Sequence, residues 1–318
     1  MHRTRARLGW VAGLLVVAGL LAACGGAGAE PGADLEATAP ANALIATPRS
    51  ADSAALVAAR PYRLVTPAGF DATKPAPLIL VLHAYGSDAT AIEEYFDLDP
   101  VASAHGALVA YPLGTLDSRD KRFWDATNVC CDFDRTGIDD VAYLGALIDD
   151  VATHYKVDAR RIFVAGQSNG AFMAHRLACD LPDRIAAVVA TSGANWAGSL
   201  LCQPSQPVAV LQVQGTEDPL VRYDGERLPF GLQLYVSALD SIARWADHNG
   251  CAANPTTAAN LDLVAALEGT ETTVERYSGC KANGAAELWT IEGGAHSVAF
   301  TPTFAETAWA FLDAHAKP

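Results

Sequence analysis

Basic residues are scarce in this chain of 318 residues. It contains 22 Lys and Arg against 36 Asp and Glu, which gives a formal net charge of −14. A protein that binds nucleic acid needs concentrated Lys and Arg to neutralise phosphates, so this balance argues against nucleic acid as a partner. The acidity serves solubility and says little about the substrate.

Two further features are missing from the chain. None of its seven cysteines form a C-x-x-C pair, which argues against a zinc site. We also expect no other metal and no cofactor. The N-terminal apolar stretch at 8–23 is shorter than the roughly 20 residues that a membrane span needs. It contains three glycines and follows Arg3, Arg5 and Arg7. These features predict a cleaved export signal at 1–23.

The export signal ends in the sequence Leu21-Ala22-Ala23-Cys24, which resembles a bacterial lipobox. In signals of that kind the cysteine is lipidated and becomes the mature N-terminus. We therefore expect a lipid anchor on Cys24 that holds the protein at the membrane or cell surface. An ordinary secretory signal with a chance cysteine is the alternative, and both place the mature protein outside the cytoplasm.

The segment at 24–58 is rich in Ala, Gly, Pro and Thr and has no sustained periodicity. This composition predicts a flexible linker.

Six cysteines follow Cys24, and an even number in an exported protein favours disulfides. Cys251 and Cys280 flank one polar, loop-rich segment and are the best candidate pair. The adjacent cysteines at 130 and 131 either bond each other or have separate partners, and the partners of those at 179 and 202 stay open.

Apolar runs and helical patterns alternate through the rest of the chain. The run at 77–83 is continuously apolar, which is typical of a central parallel strand that is buried on both faces. The predicted strands lie at 61–66, 77–83, 107–112, 161–165, 185–191, 208–214 and 288–291. The predicted helices lie at 88–96, 138–155, 171–178, 239–248 and 304–314. This alternation predicts one α/β domain at 59–318, with a mostly parallel central sheet and helices on both faces.

The sequence Gly166-Gln167-Ser168-Asn169-Gly170 lies between a predicted strand and a predicted helix. G-x-S-x-G in that context predicts a tight turn that holds the Ser168 hydroxyl above the sheet. Side chains at 166 and 170 would collide with neighbouring backbone, which explains the two glycines. The pentapeptide alone is also compatible with an ordinary turn that happens to contain a serine.

Two more polar stretches follow predicted strands. Asp218 comes after the strand at 208–214, and His296 comes after the strand at 288–291. Functional groups of such sheets gather at the carboxyl ends of the strands. The order Ser168, Asp218, His296 therefore predicts a catalytic triad in which His296 is the base and Asp218 orients it. Glu217 is a rival for the acid.

A tetrahedral intermediate needs an oxyanion hole, which we expect from the backbone N–H groups of Tyr85 and Asn169. The ring of Tyr85 is expected to form a wall of the acyl pocket. Trp124 and Trp196 are placed where they either line a substrate cleft or pack in the core. The acidic pair at 139–140 is interpreted as the N-terminus of a helix.

The chain resembles the secreted feruloyl esterases and polyhydroxybutyrate depolymerases from about Tyr62 to its C-terminus. The segments that carry this resemblance are Leu82–Gly86, Asp139–Val141, Gly166–Gly170, Gly215–Pro219 and Gly293–His296. The two adjacent cysteines and the Cys251…Cys280 segment also fit that group. The chain departs from it at Ala84, where the family usually has glycine, and at 297–300, where it often has Trp-Pro-Gly.

The resemblance implies an α/β-hydrolase fold and hydrolysis of carboxylic esters through an acyl-enzyme. The first substrate that it implies is a feruloyl ester on plant polysaccharide, and the second is a hydroxyalkanoate polyester. The alternative hypothesis, from another functional class, is that the chain is a binding lipoprotein that kept the hydrolase scaffold without catalysis.

Overall fold

The structure is a computed structural model that describes residues 51–318. The predicted export signal, the predicted lipidation site Cys24 and the linker residues up to 50 lie outside the described residues. The helices in the described part are α1 (Ala51–Ala59), α2 (Ala89–Phe96), α3 (Asp99–Ala104), α4 (Asp140–His154), α5 (Asn169–Asp180), α6 (Ala238–His248) and α7 (Pro302–Ala314). Within this range, no helix is long and apolar enough to cross a bilayer.

The strands alternate with these helices along the chain. They are β1 (Arg63–Val65), β2 (Ala76–Leu82), β3 (Leu108–Tyr111), β4 (Thr115–Leu116), β5 (Arg122–Phe123), β6 (Val157–Gln167), β7 (Ala187–Thr191), β8 (Ala209–Gly215), β9 (Glu226–Arg227), β10 (Gln233–Tyr235), β11 (Thr256–Leu261), β12 (Thr272–Arg276) and β13 (Ala286–Ile291). Each strand and helix that the alternation predicted is present, with its ends shifted by a few residues.

One large sheet forms the centre of the molecule. Its strand order is β1-β3-β2-β6-β7-β8-β13-β12-β11. Neighbouring strands from β3 to β13 in this order are parallel, whereas β1 pairs antiparallel with β3, β12 with β13 and β11 with β12. All residues of β2 are buried, because side chains of a central parallel strand meet helices on both faces. The predicted parallel α/β sheet is thus observed.

The apolar core lies in two layers, one on each face of the sheet. Helices α1, α4, α5 and α6 contribute to one layer, and α2, α3 and α7 contribute to the other.

Polar side chains cap the N-termini of several of these helices. Asp88 caps α2 by accepting hydrogen bonds from two backbone N–H groups, and Asp139 caps α4 in the same way with one. The acidic pair at 139–140 therefore begins a helix, as expected.

Residues 51–58, which were predicted to be part of the linker, belong instead to α1. This helix packs on α4 and buries Val57 in the core. Arg60, directly after it, makes a salt bridge with Asp140 at the start of α4. The Ala-rich composition that suggested flexibility is also good helix-forming material, and one buried apolar side chain in this short helix gives little periodic signal.

The antiparallel edge of the sheet was not predicted. Strands β11 and β12 lie inside the segment between Cys251 and Cys280 that the sequence indicated to be loop-rich. The residues of β11 are almost all exposed, so they lack the apolar alternation that reveals a half-buried strand.

Cys251 and Cys280 form a disulfide in the structure, as do Cys179 and Cys202. The adjacent cysteines bond each other, which is one of the two arrangements left open.

Candidate active site

Ser168 occupies a strained turn between β6 and α5. Its φ of 55° lies in the left-handed region, which is uncommon for a residue other than glycine. A Cβ on Gly166 would lie 2.2 Å from the carbonyl oxygen of Gly170, and a Cβ on Gly170 would lie 2.1 Å from that of Leu82. Both glycines are therefore required by close backbone contacts. The Ser168 N–H donates to the Thr191 carbonyl at 2.8 Å, which ties the turn to β7.

Three side chains form a hydrogen-bonded row at this turn. The Nε2 atom of His296 lies 2.9 Å from the Oγ of Ser168. Its Nδ1 atom lies 2.8 Å from the Oδ2 of Asp218. A carboxylate only accepts, so Nδ1 carries the proton and Nε2 is free to accept from the serine hydroxyl. The three residues predicted from separate stretches of the chain thus meet at the carboxyl edge of the sheet.

The Asp218 carboxylate is held by four donors. Besides the imidazole, Gln214 donates its side-chain amide to Oδ2 at 3.0 Å. The backbone N–H groups of Leu220 and Val221 donate to Oδ1 at 2.8 and 2.9 Å. The side chain is fully buried, so these bonds fix its orientation. Glu217, the rival acid, is exposed to solvent and makes none of these contacts.

The loop that carries His296 is anchored to the ends of two neighbouring strands. The hydroxyl of Ser192 donates to the His296 carbonyl at 2.8 Å. The side-chain amide of Gln167 donates to the Ser297 hydroxyl at 2.9 Å. Neither anchor is predictable from the sequence, because the partners lie more than a hundred residues apart and no local pattern connects them.

The two expected oxyanion donors lie on adjacent elements. Asn169 is the first residue of α5, where backbone N–H groups have no partner within the helix. Tyr85 lies in the loop after β2, whose last residue Leu82 pairs with Gly166. The buried Asn169 side chain accepts from the Trp124 N–H at 2.7 Å and donates to the Trp124 carbonyl at 2.9 Å. These bonds hold the start of α5 in place.

The ring of Tyr85 is fixed by a polar cluster. Its hydroxyl donates to Asp117 at 2.5 Å and accepts from Arg119 at 2.7 Å, and Phe133 packs against its face edge-on. Burial and the bond to Asp117 raise the pKa of Tyr85. Although burial opposes it, the hydrogen bonds from Tyr85 and from the backbone N–H groups of Lys121 and Arg119 lower the pKa of Asp117 to about 2.

The expectation that Trp124 and Trp196 line a substrate cleft is wrong. Trp124 is 0% exposed, and its indole N–H donates to the His83 carbonyl at 3.0 Å. Trp196 is 5% exposed, and its backbone pairs with Tyr235. Both rings belong to the core, the alternative that the sequence had left open, because their large apolar surfaces are removed from water there.

His83 holds the start of the loop after β2 through two hydrogen bonds. Its Nδ1 donates to the Ala84 carbonyl at 2.8 Å, and its Nε2 accepts from the Gly114 N–H at 2.9 Å. Burial lowers the pKa of His83 from 6.5 to about 4. The ring is therefore neutral near neutral pH and keeps both bonds, which only that protonation state allows.

Six exposed apolar side chains, called here the apolar rim, belong to the segments that follow β7 and β8. These segments meet, because Trp196 pairs with Tyr235 and the Tyr235 hydroxyl lies 3.4 Å from the Leu220 carbonyl. The side chains of the apolar rim are large, apolar and exposed: Leu200, Leu201, Leu220, Leu228, Phe230 and Leu232. Phe230 is fully exposed. Exposed large apolar side chains mark an interaction surface where they form a continuous patch.

Comparison with known sequences relates the chain to esterases. The sequence model of a family described as esterase PHB depolymerase matches residues 60–224. Feruloyl esterase B of Piromyces equi is 31% identical over 242 residues, or 73% of this chain and 41% of that protein. The putative esterase NocK of Nocardia uniformis subsp. tsuyamanensis is 32% identical over 167 residues, or 52% of this chain and 47% of that protein. The chain thus spans less than half the length of these two relatives.

Comparison with solved structures identifies the fold. The acetyl xylan esterase from Aspergillus awamori superimposes with a TM-score of 0.57 at 14% identity, covering 80% of this chain and 93% of the other. Esterase PE8 superimposes with a TM-score of 0.51 at 17% identity, covering 80% and 99%. The predicted α/β-hydrolase fold is confirmed.

Proposed function

Because the chain belongs to the esterase PHB depolymerase family, we propose that it is an extracytoplasmic serine esterase that hydrolyses carboxylic esters. The observation that carries this proposal is the row from Ser168 to His296 to Asp218, with contacts of 2.9 and 2.8 Å. A serine hydroxyl is a poor nucleophile near neutral pH and needs an adjacent base. The imidazole beside it meets that need.

In the acylation step, the Ser168 oxygen attacks the ester carbonyl carbon while His296 takes the hydroxyl proton. The C–O bond to the alcohol then breaks, and His296 returns the proton to the departing oxygen. Water repeats the sequence on the acyl-enzyme and releases the acid. Asp218 keeps the proton-bearing Nδ1 oriented and stabilises the imidazolium in both steps.

The oxyanion that forms in each step needs preorganised donors. We assign this role to the backbone N–H groups of Asn169 and Tyr85. The N-terminus of α5 adds its positive dipole end. The bonds from Asn169 to the Trp124 backbone support the assignment, because a donor acts well when it needs no rearrangement as charge develops.

The proposed substrate is a feruloyl ester of plant polysaccharide. The named relative with 31% identity is a feruloyl esterase, and an acetyl xylan esterase shares the fold. The Tyr85 ring, held by Asp117 and Arg119 and packed on Phe133, offers an aromatic wall for a phenolic acyl group.

A second candidate substrate is a hydroxyalkanoate polyester. The apolar rim favours it, because exposed leucines and Phe230 suit adsorption to a solid apolar polymer better than to a sugar chain. Phe230→Ser should then slow release of soluble product from a polyester film and leave hydrolysis of soluble esters unchanged. Equal effects on both kinds of substrate would remove this candidate.

We further propose that Cys24 is lipidated and tethers the enzyme at the cell surface. The lipobox-like sequence and the preceding apolar stretch support this. Cys24→Ser should move the protein from the membrane fraction to the medium or the soluble extracytoplasmic fraction. An unchanged distribution would leave the ordinary secretory signal as the better interpretation.

The experiment that tests the activity compares wild type with Ser168→Ala on para-nitrophenyl acetate, para-nitrophenyl butyrate, methyl ferulate and a short hydroxybutyrate oligomer. We expect hydrolysis by wild type and its loss in the variant, with methyl ferulate preferred over the oligomer. The exposed Ser278→Ala is the matched control and should behave as wild type. A folded wild type that is inert on all four esters would favour the binding-lipoprotein alternative.

A further inference from the structure

Ser192 lies beside Ser168 at the carboxyl edge of the sheet. The last residues of β6 and β7, Gln167 and Thr191, are partners in the parallel ladder. The residues that directly follow these strands, Ser168 and Ser192, therefore occupy equivalent places. Both serines have a φ of 55°. Two neighbouring strands thus end in a serine held in the left-handed region.

The conformation of Ser192 is unfavourable for any side chain. Glycine adopts a positive φ without the steric penalty that a Cβ brings. Residues held in such conformations cluster at functional sites, where the surrounding structure maintains the strain. Ser192 is also buried, with 3% of its surface exposed. Its presence in place of glycine therefore calls for a role for the hydroxyl.

The contacts of this strand end indicate what the role is. The Thr191 carbonyl accepts from the Ser168 N–H at 2.8 Å, and the Ser192 N–H donates to the Val213 carbonyl on β8 at 2.9 Å. The Ser192 hydroxyl donates to the carbonyl of His296 at 2.8 Å. One dipeptide at the end of β7 therefore contacts the main chain of the nucleophile and the main chain of the base.

We propose that Ser192 is a positioning residue for His296, which deepens the proposed function and rests on it. Its hydroxyl holds the His296 main chain at the one place from which the imidazole reaches both Ser168 and Asp218. The loop before His296 contains Gly293 and Gly294, so its backbone is intrinsically adaptable. Without the hydroxyl, the loop relaxes and the 2.9 Å contact to Ser168 lengthens in part of the population.

The test uses Ser192→Ala and Ser192→Gly. Both remove the hydroxyl, but only glycine also relieves the left-handed strain. We expect kcat on para-nitrophenyl acetate to fall about 10- to 100-fold in both variants, the range expected when a catalytic group is displaced by about 1 Å. KM should stay within a factor of about two, because substrate binding is untouched. The melting temperature of Ser192→Gly should match or exceed that of Ser192→Ala.

A purely structural role predicts a different pattern. Activity would then follow stability, and the stable glycine variant would regain wild-type kcat. That outcome overturns the proposal. Two controls match the two changes made at Ser192. Ala282→Gly relieves a left-handed residue (φ 48°) on the surface, and Ser241→Ala removes a buried hydroxyl that accepts from the Asn195 N–H at 3.0 Å. Both should keep the wild-type kcat.

A second measurement separates this proposal from the esterase assignment. Diethyl para-nitrophenyl phosphate reacts when the Ser168 oxygen attacks phosphorus, His296 takes the hydroxyl proton and para-nitrophenolate departs. The rate of labelling at Ser168, followed by mass spectrometry, reports activation by His296 for any natural substrate. We expect labelling to slow in both Ser192 variants by the same factor as kcat. Wild-type labelling rates in them contradict the role of Ser192, whether or not the enzyme cleaves carboxylic esters.

Failure of the proposed function has its own signature. A wild type that labels at Ser168 but hydrolyses none of the carboxylic esters contradicts the esterase assignment, and the labelling rates of the variants still decide the role of Ser192. A wild type that neither labels nor hydrolyses contradicts both, because His296 then does not activate Ser168.

Discussion

At the scale of single residues, the site is defined by how completely each polar group is held. The Asp218 carboxylate is contacted by one imidazole, one amide and two backbone N–H groups. Its neighbour Glu217 is exposed and contacts none of these groups. This contrast separates the two acids sharply, although the sequence placed them side by side.

Asp218→Asn tests the assignment of the acid. An amide in place of the carboxylate presents an N–H to Nδ1 and favours the wrong imidazole tautomer, so we expect kcat to fall about 10³- to 10⁴-fold. Steady-state kinetics on para-nitrophenyl butyrate measure the change. Glu217→Gln is the matched control and should retain wild-type activity; the reverse ranking would make Glu217 the acid.

Tyr85 is expected to act through both its backbone and its ring. Tyr85→Ala keeps the N–H but removes the aromatic wall, so KM for methyl ferulate should rise about tenfold, the value of roughly 1.4 kcal/mol of lost contact. Para-nitrophenyl acetate, with its small acyl group, should be little affected. Tyr85→Phe retains the ring but loses the bonds to Asp117 and Arg119, so its KM for methyl ferulate should rise less than that of Tyr85→Ala. An equal loss on both esters would contradict a wall specific for the aromatic acyl group.

Among the helices and strands, the sequence predicted those whose apolar residues recur with a helical period or form a continuous buried run. Buried strands such as β2 and amphipathic helices such as α4 were recognised, and the serine turn followed from its two glycines. Strand β11 was missed because its residues are exposed, and α1 because its composition resembles that of a linker. The anchors of the His296 loop were missed because Ser192 and Gln167 reach it only in the folded chain.

The junction of α1 and α4 offers a stability test. Arg60 pairs with Asp140, whose side chain is fully buried. Burial raises the pKa of Asp140, and the Arg60 charge opposes this rise. Arg60→Ala leaves a buried carboxylate without its cation, and we expect a loss of about 3 kcal/mol in the free energy of unfolding.

Arg63→Ala is the control for this change, because Arg63 pairs with Glu93 in a more exposed setting. It should cost less than about 1 kcal/mol. Urea unfolding monitored by tryptophan fluorescence measures both variants. Equal losses would show that the pairing of Asp140 contributes no more than a surface ion pair.

At the scale of the whole molecule, two buried histidines couple folding to pH. Burial lowers the pKa of His175 from 6.5 to about 4, and that of His83 to about the same value. His175 accepts a hydrogen bond from the Trp245 indole at 3.0 Å and is neutral in the core. Neither ring takes up a proton in the folded protein until the pH approaches 4.

The free energy of unfolding should therefore fall as the pH drops from about 6.5 to 4. In that window the unfolded chain binds protons at these histidines and the folded chain does not, so protonation favours unfolding; below pH 4 this contribution levels off. Each histidine contributes on the order of 2 to 3 kcal/mol. Urea unfolding at pH 7 and pH 4.5 measures the loss. His175→Gln should reduce it; an unchanged loss would contradict this origin.

The disulfide between Cys251 and Cys280 also determines how the protein can be produced. It closes a segment of 29 residues that contains β11 and β12, a cross-link worth between about 3 and 4 kcal/mol. In a reducing cytoplasm only ladder pairing holds these outer strands, and their opening bares the backbone edge of β13, whose residues are mostly buried in the folded protein. An unpaired apolar strand edge is a template for aggregation. Soluble recombinant yield should therefore depend on secretion into an oxidising compartment.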